Sequence, residues 1–339
     1  MQKSTINDVA RVAGVSKSTV SRVINNVANV DPELRERVLA TMTELDYQPT
    51  RAARVLKKDL NDLIGFLVPR ITDTIFGGVL ENAEQLAYEN KMGILAYSTT
   101  DDLDRQDMYL ENLQAERPAG IILVPAPGTE PNTVASIQAQ GIPVVLLDRR
   151  LNGLQADCIT SDNYQGAYVG TNHLIANGFT KVATIAGLQT VSSGVERLNG
   201  YRFAMANAQL EVPPEWITYG GFDVDQSYAA LKNLMQLKNR PHALFVANDD
   251  MMIGVLYAIR DLRIQVPEEL AIVGFDEISL ADLLSPRLTT VEQSVPALGQ
   301  EALRLLLDRI HQPDRAVRTI QIPTRLNVRE SSGRRAGNK

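Results

Sequence analysis

From Leu63 to Phe275, short runs of apolar residues alternate with longer segments of helical periodicity. The apolar runs predict strands at residues 63–69, 93–97, 120–124, 143–148, 182–186, 216–218, 243–246 and 271–275. The segments between them predict helices at residues 75–90, 104–114, 134–140, 164–176, 194–209, 225–237 and 250–261. Continuous apolar strands separated by helices are typical of parallel sheets covered on both faces. The sequence therefore predicts an α/β core with two lobes in tandem, each a doubly wound parallel sheet, the second beginning near Asp162.

The last part of the core is expected to return to the first lobe. This part comprises an apolar run at 288–291, a helix over 296–310 and a strand over 320–322. We expect a core over residues 61–330, with an N-lobe of about 61–161 plus 291–325 and a C-lobe of about 162–290. The short, polar segment 331–339 is predicted to be a disordered tail.

Residues 5–26, ahead of this core, have the pattern of two short helices joined by a tight turn at Gly14. The apolar residues of the first helix repeat at helical spacing, and Ser16 occupies an N-cap position before the second. The second helix has an inward stripe of Val20, Val23 and Ile24 and an outward face of Lys17, Ser18, Ser21 and Arg22. An exposed, basic helix face suits the major groove of DNA, although the same pattern also occurs on solvated surfaces.

A third helix and a basic segment extend this pattern. Asp31-Pro32 has the N-cap and first-turn residues of a helix that continues to Asp46, and T-R-A-A-R-V-L-K-K follows at 50–58. With T-I-N-D-V-A, A-G-V-S-K-S-T-V-S-R-V-I-N, L-D-Y-Q-P and R-A-A-R-V-L in this order, residues 5–58 resemble the headpiece of the LacI/GalR family. The resemblance extends over about residues 5–330 and implies a core similar to that of periplasmic sugar-binding proteins.

The resemblance implies a helix-turn-helix headpiece at 1–49 and a hinge helix or linker at 50–60. Side chains expected to contact DNA are Thr5, Ser16, Lys17, Ser18, Thr19, Ser21, Arg22, Asn25, Arg51, Ala53 and Leu56. Among them, Lys17, Ser18 and Arg22 are expected to set base preference, and Thr5, Ser16 and Ser21 to contact phosphates. Leu56 would enter the minor groove and kink the DNA, or else pack on the core as part of a linker.

The distribution of charge agrees with a DNA-binding N-terminus. The first 60 residues contain ten Lys or Arg and seven Asp or Glu, whereas the remaining residues contain 24 and 33. The acidic total therefore does not argue against nucleic acid, because the positive charge lies in the headpiece.

Polar residues at predicted strand ends indicate a ligand cleft between the lobes. Asp148, Asn248 and Asp276 follow buried strands, and Phe76 follows the first strand, where it would stack on a ligand or pack in the core. The family resemblance implies that Arg197, in R-x-x-G-[FY], binds the effector, and that Phe222 lies over it; Ser193 would add a hydroxyl contact. A carboxylate accepts hydrogen bonds, a guanidinium donates a planar pair of them, and a carboxamide does both. Together these groups suit the vicinal hydroxyls of a sugar.

Two departures from the family pattern disfavour one class of ligand and one protein partner found in the family. Purine-responsive members have Arg where Val191 stands, which disfavours a purine corepressor. Members that dock a phosphocarrier protein have Tyr where Pro296 stands, which disfavours that partner. Arg70, Arg149 or Arg150 would still allow a sugar acid or a phosphate, and these ligands are not separated by the sequence.

Enzyme chemistry is not indicated. The three histidines, His173, His242 and His311, are isolated, and neither a metal-ligand spacing nor a phosphate loop is present. Neither a metal nor a cofactor is therefore expected. The single cysteine, Cys158, and the lack of a signal peptide or an 18-residue apolar run predict a cytoplasmic protein without a membrane segment.

These features predict a ligand-responsive transcriptional regulator that binds double-stranded operator DNA as a homodimer. The favoured role is repression of a carbohydrate-utilisation operon, released by a sugar or sugar acid in the cleft. The alternatives are a regulator that needs a corepressor and, from another class, a binding protein of the periplasmic type.

Overall fold

The structure is a computed structural model and describes residues 4–24, 30–47, 62–278 and 281–333. The chain divides into two compact units, residues 1–61 and 62–339.

In the first unit, three helices enclose a small apolar core: α1 (Ile6–Val12), α2 (Lys17–Ile24) and α3 (Pro32–Glu44). Thr5 begins α1 with a capping box, because its hydroxyl accepts from the Asp8 N–H while the Asp8 carboxylate accepts from the Thr5 N–H. The turn after α1 places Gly14 at φ +64°, and Ser16 Oγ accepts from Thr19 N at 3.1 Å, as expected of an N-cap. The buried residues of this core include Val9, Val20, Val23 and Val38.

In the second unit, the N-lobe is built on a six-stranded sheet in the order β11-β5-β4-β3-β1-β2. All its neighbouring strands are parallel. The strands are β1 (Leu63–Val68), β2 (Gly93–Ser98), β3 (Gly120–Leu123), β4 (Val144–Leu147), β5 (Asp157–Ser161) and β11 (Thr319–Ile322). The covering helices are α4 (Thr74–Glu89), α5 (Leu103–Glu116), α6 (Pro131–Ala139) and α11 (Val295–His311). Helices α4 and α11 cover one face and α5 and α6 the other, so the sheet is buried on both sides.

The C-lobe repeats this architecture with the strand order β12-β10-β9-β8-β6-β7. Its strands are β6 (Val182–Ala186), β7 (Ile217–Tyr219), β8 (Ala243–Val246), β9 (Ala271–Phe275), β10 (Thr289–Glu292) and β12 (Arg325–Asn327). Its helices are α7 (Asn163–Ala176), α8 (Ser192–Asn207), α9 (Val224–Gln236) and α10 (Asp249–Leu262). Only β12 runs antiparallel to its neighbour, at the sheet edge. The predicted fold class, an α-helical headpiece and two doubly wound lobes, is confirmed.

Parts of the predicted lobe boundaries were wrong. The run at 288–291 does not return to the first lobe, because β10 pairs with β9 of the C-lobe; the return begins only with α11. After β11, the chain goes back to the C-lobe as β12, which the sequence analysis did not predict; β5 was also missed.

The predicted disordered tail begins too early. Residues Glu330–Ser332 form a short 3-10 helix, and Ser331 and Ser332 are buried. Ser331 Oγ donates to the Ile272 carbonyl at 2.8 Å, which attaches the segment to β9. The remaining tail residues, 334–339, lie outside the described residues.

The described chain passes between the lobes after β5, after β10 and after β11. A crevice therefore separates the two sheets, and the carboxyl ends of parallel strands from both lobes face it. Open α/β sheets bind ligands at this edge.

Candidate functional site

The predicted DNA-reading face of the headpiece lies on α2. Lys17, Ser18 and Arg22 are exposed, while Val20 and Val23 of the same helix are buried in the headpiece core. The remaining predicted contacts that the structure describes are either exposed or partly exposed: Thr5, Ser16, Thr19 and Ser21. Asn25, Arg51, Ala53 and Leu56 lie outside the described residues. Helix packing thus turns a polar, basic face away from the headpiece core.

A cavity of about 370 Å³ lies in the crevice between the two lobes. Its lining comes from the segments that follow strands β1, β2, β4, β6, β7, β8, β9 and β10. All seven side chains that the sequence analysis assigned to the effector line this cavity: Phe76, Asp148, Ser193, Arg197, Phe222, Asn248 and Asp276. These residues are up to 200 positions apart in sequence and meet because parallel strands end at one edge; Arg197 and Phe222 among them were implied by the family resemblance.

Arg197 is fixed in the cavity wall by contacts on several sides. Its Nε donates to Asn163 Oδ1 at 2.8 Å, and its Nη1 donates to the Ala247 carbonyl at 2.6 Å and to Asp276 Oδ2 at 3.4 Å. The guanidinium carbon lies 3.8 Å from the centroid of the Phe275 ring. With 4% of its surface exposed, Arg197 is a rigid donor that does not have to be ordered when a ligand arrives.

Asp276 completes this side of the cavity. Gln293 Nε2 donates to its Oδ1 at 2.5 Å, so the carboxylate is held between Gln293 and Arg197. Burial raises the pKa of Asp276, while Arg197 and Gln293 act in the opposite direction by stabilising the charged form. The side-chain oxygen of Asn248 has a structural contact instead: Asn248 Oδ1 accepts a hydrogen bond from Met251 N at 3.0 Å and so caps α10.

Three of the predicted residues have left-handed backbone conformations. The φ angles are +64° at Asp148, +61° at Phe222 and +74° at Asp276. Such angles are unfavourable for residues with a Cβ and cluster at functional sites, where the surrounding structure maintains them. No feature of the sequence indicated these turns.

A second charged group lies at the end of β4. Arg149 is 4% exposed and donates through Nη1 and Nη2 to Asp101 Oδ1 and Oδ2, at 2.5 and 3.0 Å. Asp148 Oδ2 lies 3.7 Å from Arg149 Nε and accepts from Ser193 Oγ of the other lobe at 3.3 Å. Arg149 Nε itself is buried and forms no hydrogen bond with the described residues. A donor of this kind is available to a ligand oxygen.

Asp73, Asp249 and Gln293 also line the cavity and were not among the predicted effector residues. Asp73 caps α4 by accepting from Ile75 N at 2.8 Å and from Phe76 N at 3.1 Å. An N-cap aspartate after a strand looks structural in the sequence, so only its position in the fold reveals it. Burial raises the pKa of Asp73 to about 6 and that of Asp249 to about 8.

The two aromatic candidates have different surroundings. Phe222 lines the cavity and also packs on the C-lobe core. A Cβ at Gly187 would lie 2.1 Å from the Phe222 ring, so this glycine provides the space that the ring occupies. Phe76 lines the cavity and also packs on the N-lobe core, and its stacking on a ligand stays a prediction.

Within the described residues, no group of three or more His, Cys, Asp or Glu side chains could hold a metal ion. No helix in that part of the chain is both long enough and apolar enough to span a bilayer.

Two family models match the chain. Residues 5–50 match the bacterial regulatory proteins of the lacI family, and residues 171–332 match the periplasmic binding protein-like domain. Among curated relatives, the HTH-type transcriptional repressor PurR of Vibrio campbellii is 34% identical over 328 residues, covering 97% of this chain and 98% of the relative. The protein of the same name from Mannheimia succiniciproducens is 31% identical with the same coverage.

Solved structures agree. A complex of the transcriptional regulator CelR with cellobiose has a TM-score of 0.74 and 30% identity, covering 97% of this chain and 99% of that one. The lac repressor dimer bound to operator and the anti-inducer ONPF has a TM-score of 0.83 and 26% identity, covering 98% and 100%.

Proposed function

The chain belongs to the lacI family of bacterial regulatory proteins and is a ligand-responsive, DNA-binding transcriptional regulator, and from this premise we propose that it represses a carbohydrate-utilisation operon. Two copies of the chain form a dimer whose headpieces read a pseudo-palindromic operator. A sugar or sugar acid in the cleft releases the DNA. The lac repressor is a dimer in its operator complex, which supports this assembly.

The polar lining of the interlobe cavity carries the proposal about the ligand. Arg197 and Asp276 form a fixed pair of donor and acceptor, and further strand ends add the Asp148 carboxylate and the Asn248 carboxamide. Phe222 and Phe76 supply apolar ring faces. A few fixed polar groups combined with aromatic surface suit a polyhydroxylated ring. CelR, a structural relative, is seen with cellobiose, a sugar.

Ligand binding and DNA binding are coupled in this proposal through the hinge segment, residues 50–60. A ligand that prefers one arrangement of the lobes shifts the hinge between two states, and the hinge in turn positions the headpieces. Arg51, Ala53 and Leu56 are the proposed hinge contacts with DNA. Val191 offers no charged or hydrogen-bonding side chain, which supports a sugar over a purine as the effector.

The effector site is tested with Arg197→Ala and Asp276→Ala in a DNA-release titration, using an operator selected from random sequences. Each variant should keep operator binding and lose about a hundredfold or more in response to the inducing sugar, because one partner of a buried charged hydrogen bond is removed. Arg202→Ala is the matched control, since Arg202 lies exposed on the same helix. Full ligand response in both cleft variants would refute the assignment, and loss of operator binding instead would indicate a corepressor.

The DNA-reading face is tested by repeating the operator selection with Arg22→Ala and Lys17→Ala. Arg22→Ala should cost about 1–3 kcal/mol on the best site and relax preference at one or two base pairs. Arg37→Ala, an exposed position on α3, serves as the control that changes charge but not the reading face. An unchanged sequence preference in both α2 variants would exclude these residues from base recognition.

A further inference from the structure

The charged side chains that line the interlobe cavity are unbalanced. Three arginines line it, Arg70, Arg149 and Arg197, against seven aspartates. Each arginine already has a carboxylate partner: Asp250 for Arg70, Asp101 for Arg149 and Asp276 for Arg197. The cavity therefore holds more carboxyl groups than its own cations can neutralise.

Asp148 also lies 3.7 Å from Arg149, so three lining aspartates have no ion pair among the described residues: Asp223, which caps α9, and the two with raised pKa values, Asp73 and Asp249. The latter two lie on opposite lobes, Asp73 at the start of α4 and Asp249 at the start of α10. Asp249 is 8% exposed, and within the described part of the chain its carboxylate accepts one hydrogen bond, from the Asp250 N–H at 2.9 Å. Both side chains nevertheless line the cavity, so a ligand placed between the lobes would contact carboxyl oxygens on both sides.

The pKa values of these two carboxyl groups are raised by burial and by the neighbouring carboxylates. Burial is the main cause of the raised pKa of Asp249, about 8, and the charges of Asp276, Asp73 and Asp250 raise it further. The pKa of Asp73, about 6, is raised by burial and by Asp276 and Asp250, although its cap hydrogen bonds oppose the change. An added negative charge would increase this repulsion, whereas a positive charge would relieve it.

The cavity lining also contains groups that can bind hydroxyls. Arg149 Nε is a buried donor without a hydrogen bond among the described residues, and Asp148 is a half-buried acceptor beside it. A buried donor left without a partner costs free energy that a ligand oxygen would recover. The cavity lining therefore combines hydroxyl-binding groups with carboxyl groups that have no cation partner among the described residues.

We infer that Asp73 and Asp249 make this cleft selective for a polyhydroxylated ligand that carries a protonated amine, such as an amino sugar. The inference rests on the proposed function, because it assigns a charge to the effector of that same site. The amine lies between the two carboxyl groups and donates to both, while the hydroxyls face Arg149 and Asp148. Sugar acids are disfavoured, since all three arginines of the lining are already paired.

The experiment compares trios of sugars that differ only in one substituent. The probes are glucosamine, glucose and glucuronate, then galactosamine, galactose and galacturonate, then mannosamine, mannose and mannuronate. Dissociation constants are measured by calorimetry on the full chain near neutral pH, with thermal unfolding as a second readout. In at least one trio, the amine should bind about tenfold to a hundredfold more tightly than the parent sugar, and the acid should bind most weakly.

The same trios are then measured with Asp73→Asn and Asp249→Asn. Asparagine also caps helices, so the fold of α4 is retained. In both variants the ratio of amine affinity to parent-sugar affinity should fall towards one. Asp102→Asn is the matched control: Asp102 caps α5 through Arg105 N at 2.8 Å but is exposed and outside the cavity lining.

Each outcome decides between the two proposals. A parent sugar or an acid that binds most tightly in every responsive trio, or an amine preference that survives in both variants, overturns the inference and leaves the proposed sugar-responsive function intact. Binding by none of the nine probes contradicts the polyhydroxylated class of effector, and the inference fails with it.

Discussion

At the scale of single residues, the cleft combines side chains whose charge depends on their neighbours. Asp249 lies between a strand and a helix in the sequence, as other aspartates of the cleft do. Burial, together with the charges of Asp276, Asp73 and Asp250, raises its pKa to about 8. The cations in the same lining, Arg70 and Arg197, are engaged by Asp250 and Asp276. Asp249 therefore remains an acid that the free protein holds largely protonated at neutral pH.

This titration predicts a pH dependence of stability without ligand. The folded pKa of Asp249 lies above its ordinary value of 3.8, so its favourable contribution is present at low pH and is lost as pH rises towards 8. The pKa of Asp73 is about 6, and burial lowers the pKa of His173, so both groups have already titrated below the range of pH 7 to 8. The free energy of unfolding should fall there by up to about 1.4 kcal/mol per pH unit, the limit for one proton.

The measurement is urea unfolding of the wild type and of Asp249→Asn at several pH values. The variant should show a flatter profile between pH 7 and 8, because the amide carries no titratable proton. Asp102→Asn, outside the cavity, should follow the wild type. Parallel profiles for the wild type and Asp249→Asn would show that Asp249 does not titrate in this range.

At the scale of elements, the R-x-x-G segment serves helix packing as well as ligand contact. A Cβ at Gly200 on α8 would lie 2.3 Å from the Tyr164 carbonyl oxygen and 2.8 Å from the Ala167 Cβ, both on α7. The glycine therefore allows α7 and α8 to approach closely. This approach brings Arg197, about one turn earlier on α8, to Asn163 at the start of α7.

Gly200→Ala should destabilise the core by about 1–3 kcal/mol, because the added methyl group contacts backbone that cannot easily move. It should also weaken effector response, since a shift of α8 moves Arg197. Chemical denaturation and a DNA-release titration measure the two effects. Asn199→Ala is the control at the neighbouring exposed position, and a Gly200→Ala protein as stable as this control would contradict the packing argument.

At the scale of the whole core, a few polar contacts join the two lobes across the crevice. Arg150 pairs with Glu196, and the Arg150 N–H donates to Ser192 Oγ at 2.8 Å. A second cross-lobe pair joins Arg70 and Asp250. The side chains of Arg150 and Glu196 are 41% and 16% exposed, so their pair is accessible to solvent and salt. Contacts of this kind are individually weak and suit lobes that must change their relative position.

Arg150→Ala should therefore reduce effector affinity less than about tenfold, far below the loss expected from Arg197→Ala, because an exposed ion pair contributes little. Calorimetry with the best probe of the sugar trios provides the measurement. Arg304→Ala is the control, since the pair of Arg304 with Glu301 lies within a single helix. A loss of a hundredfold or more would mean that this rim pair holds the cleft closed.

The sequence alone determined most helices and strands and the polar residues at the strand ends. Apolar runs and helical periodicity are local, and parallel strands end at one edge, so Asp148, Asn248 and Asp276 could be placed in one cleft without coordinates, whereas Arg197 was assigned through the family resemblance. The headpiece was equally local, because Ser16 and Gly14 mark the turn between α1 and α2.

Tertiary structure decided the features that depend on distant partners. Strand β5 was missed because a charged residue such as Asp157 is not expected in a buried strand. Asp157 is only 1% exposed because Arg309 and Arg315, more than 150 residues later, pair with its carboxylate. Strand β12 is short and half exposed, and it exists through its pairing with β10. The unpaired state of Asp73 and Asp249 likewise depends on which arginines the fold gives to other carboxylates, and electrostatic pairing across lobes has no local signal in the sequence.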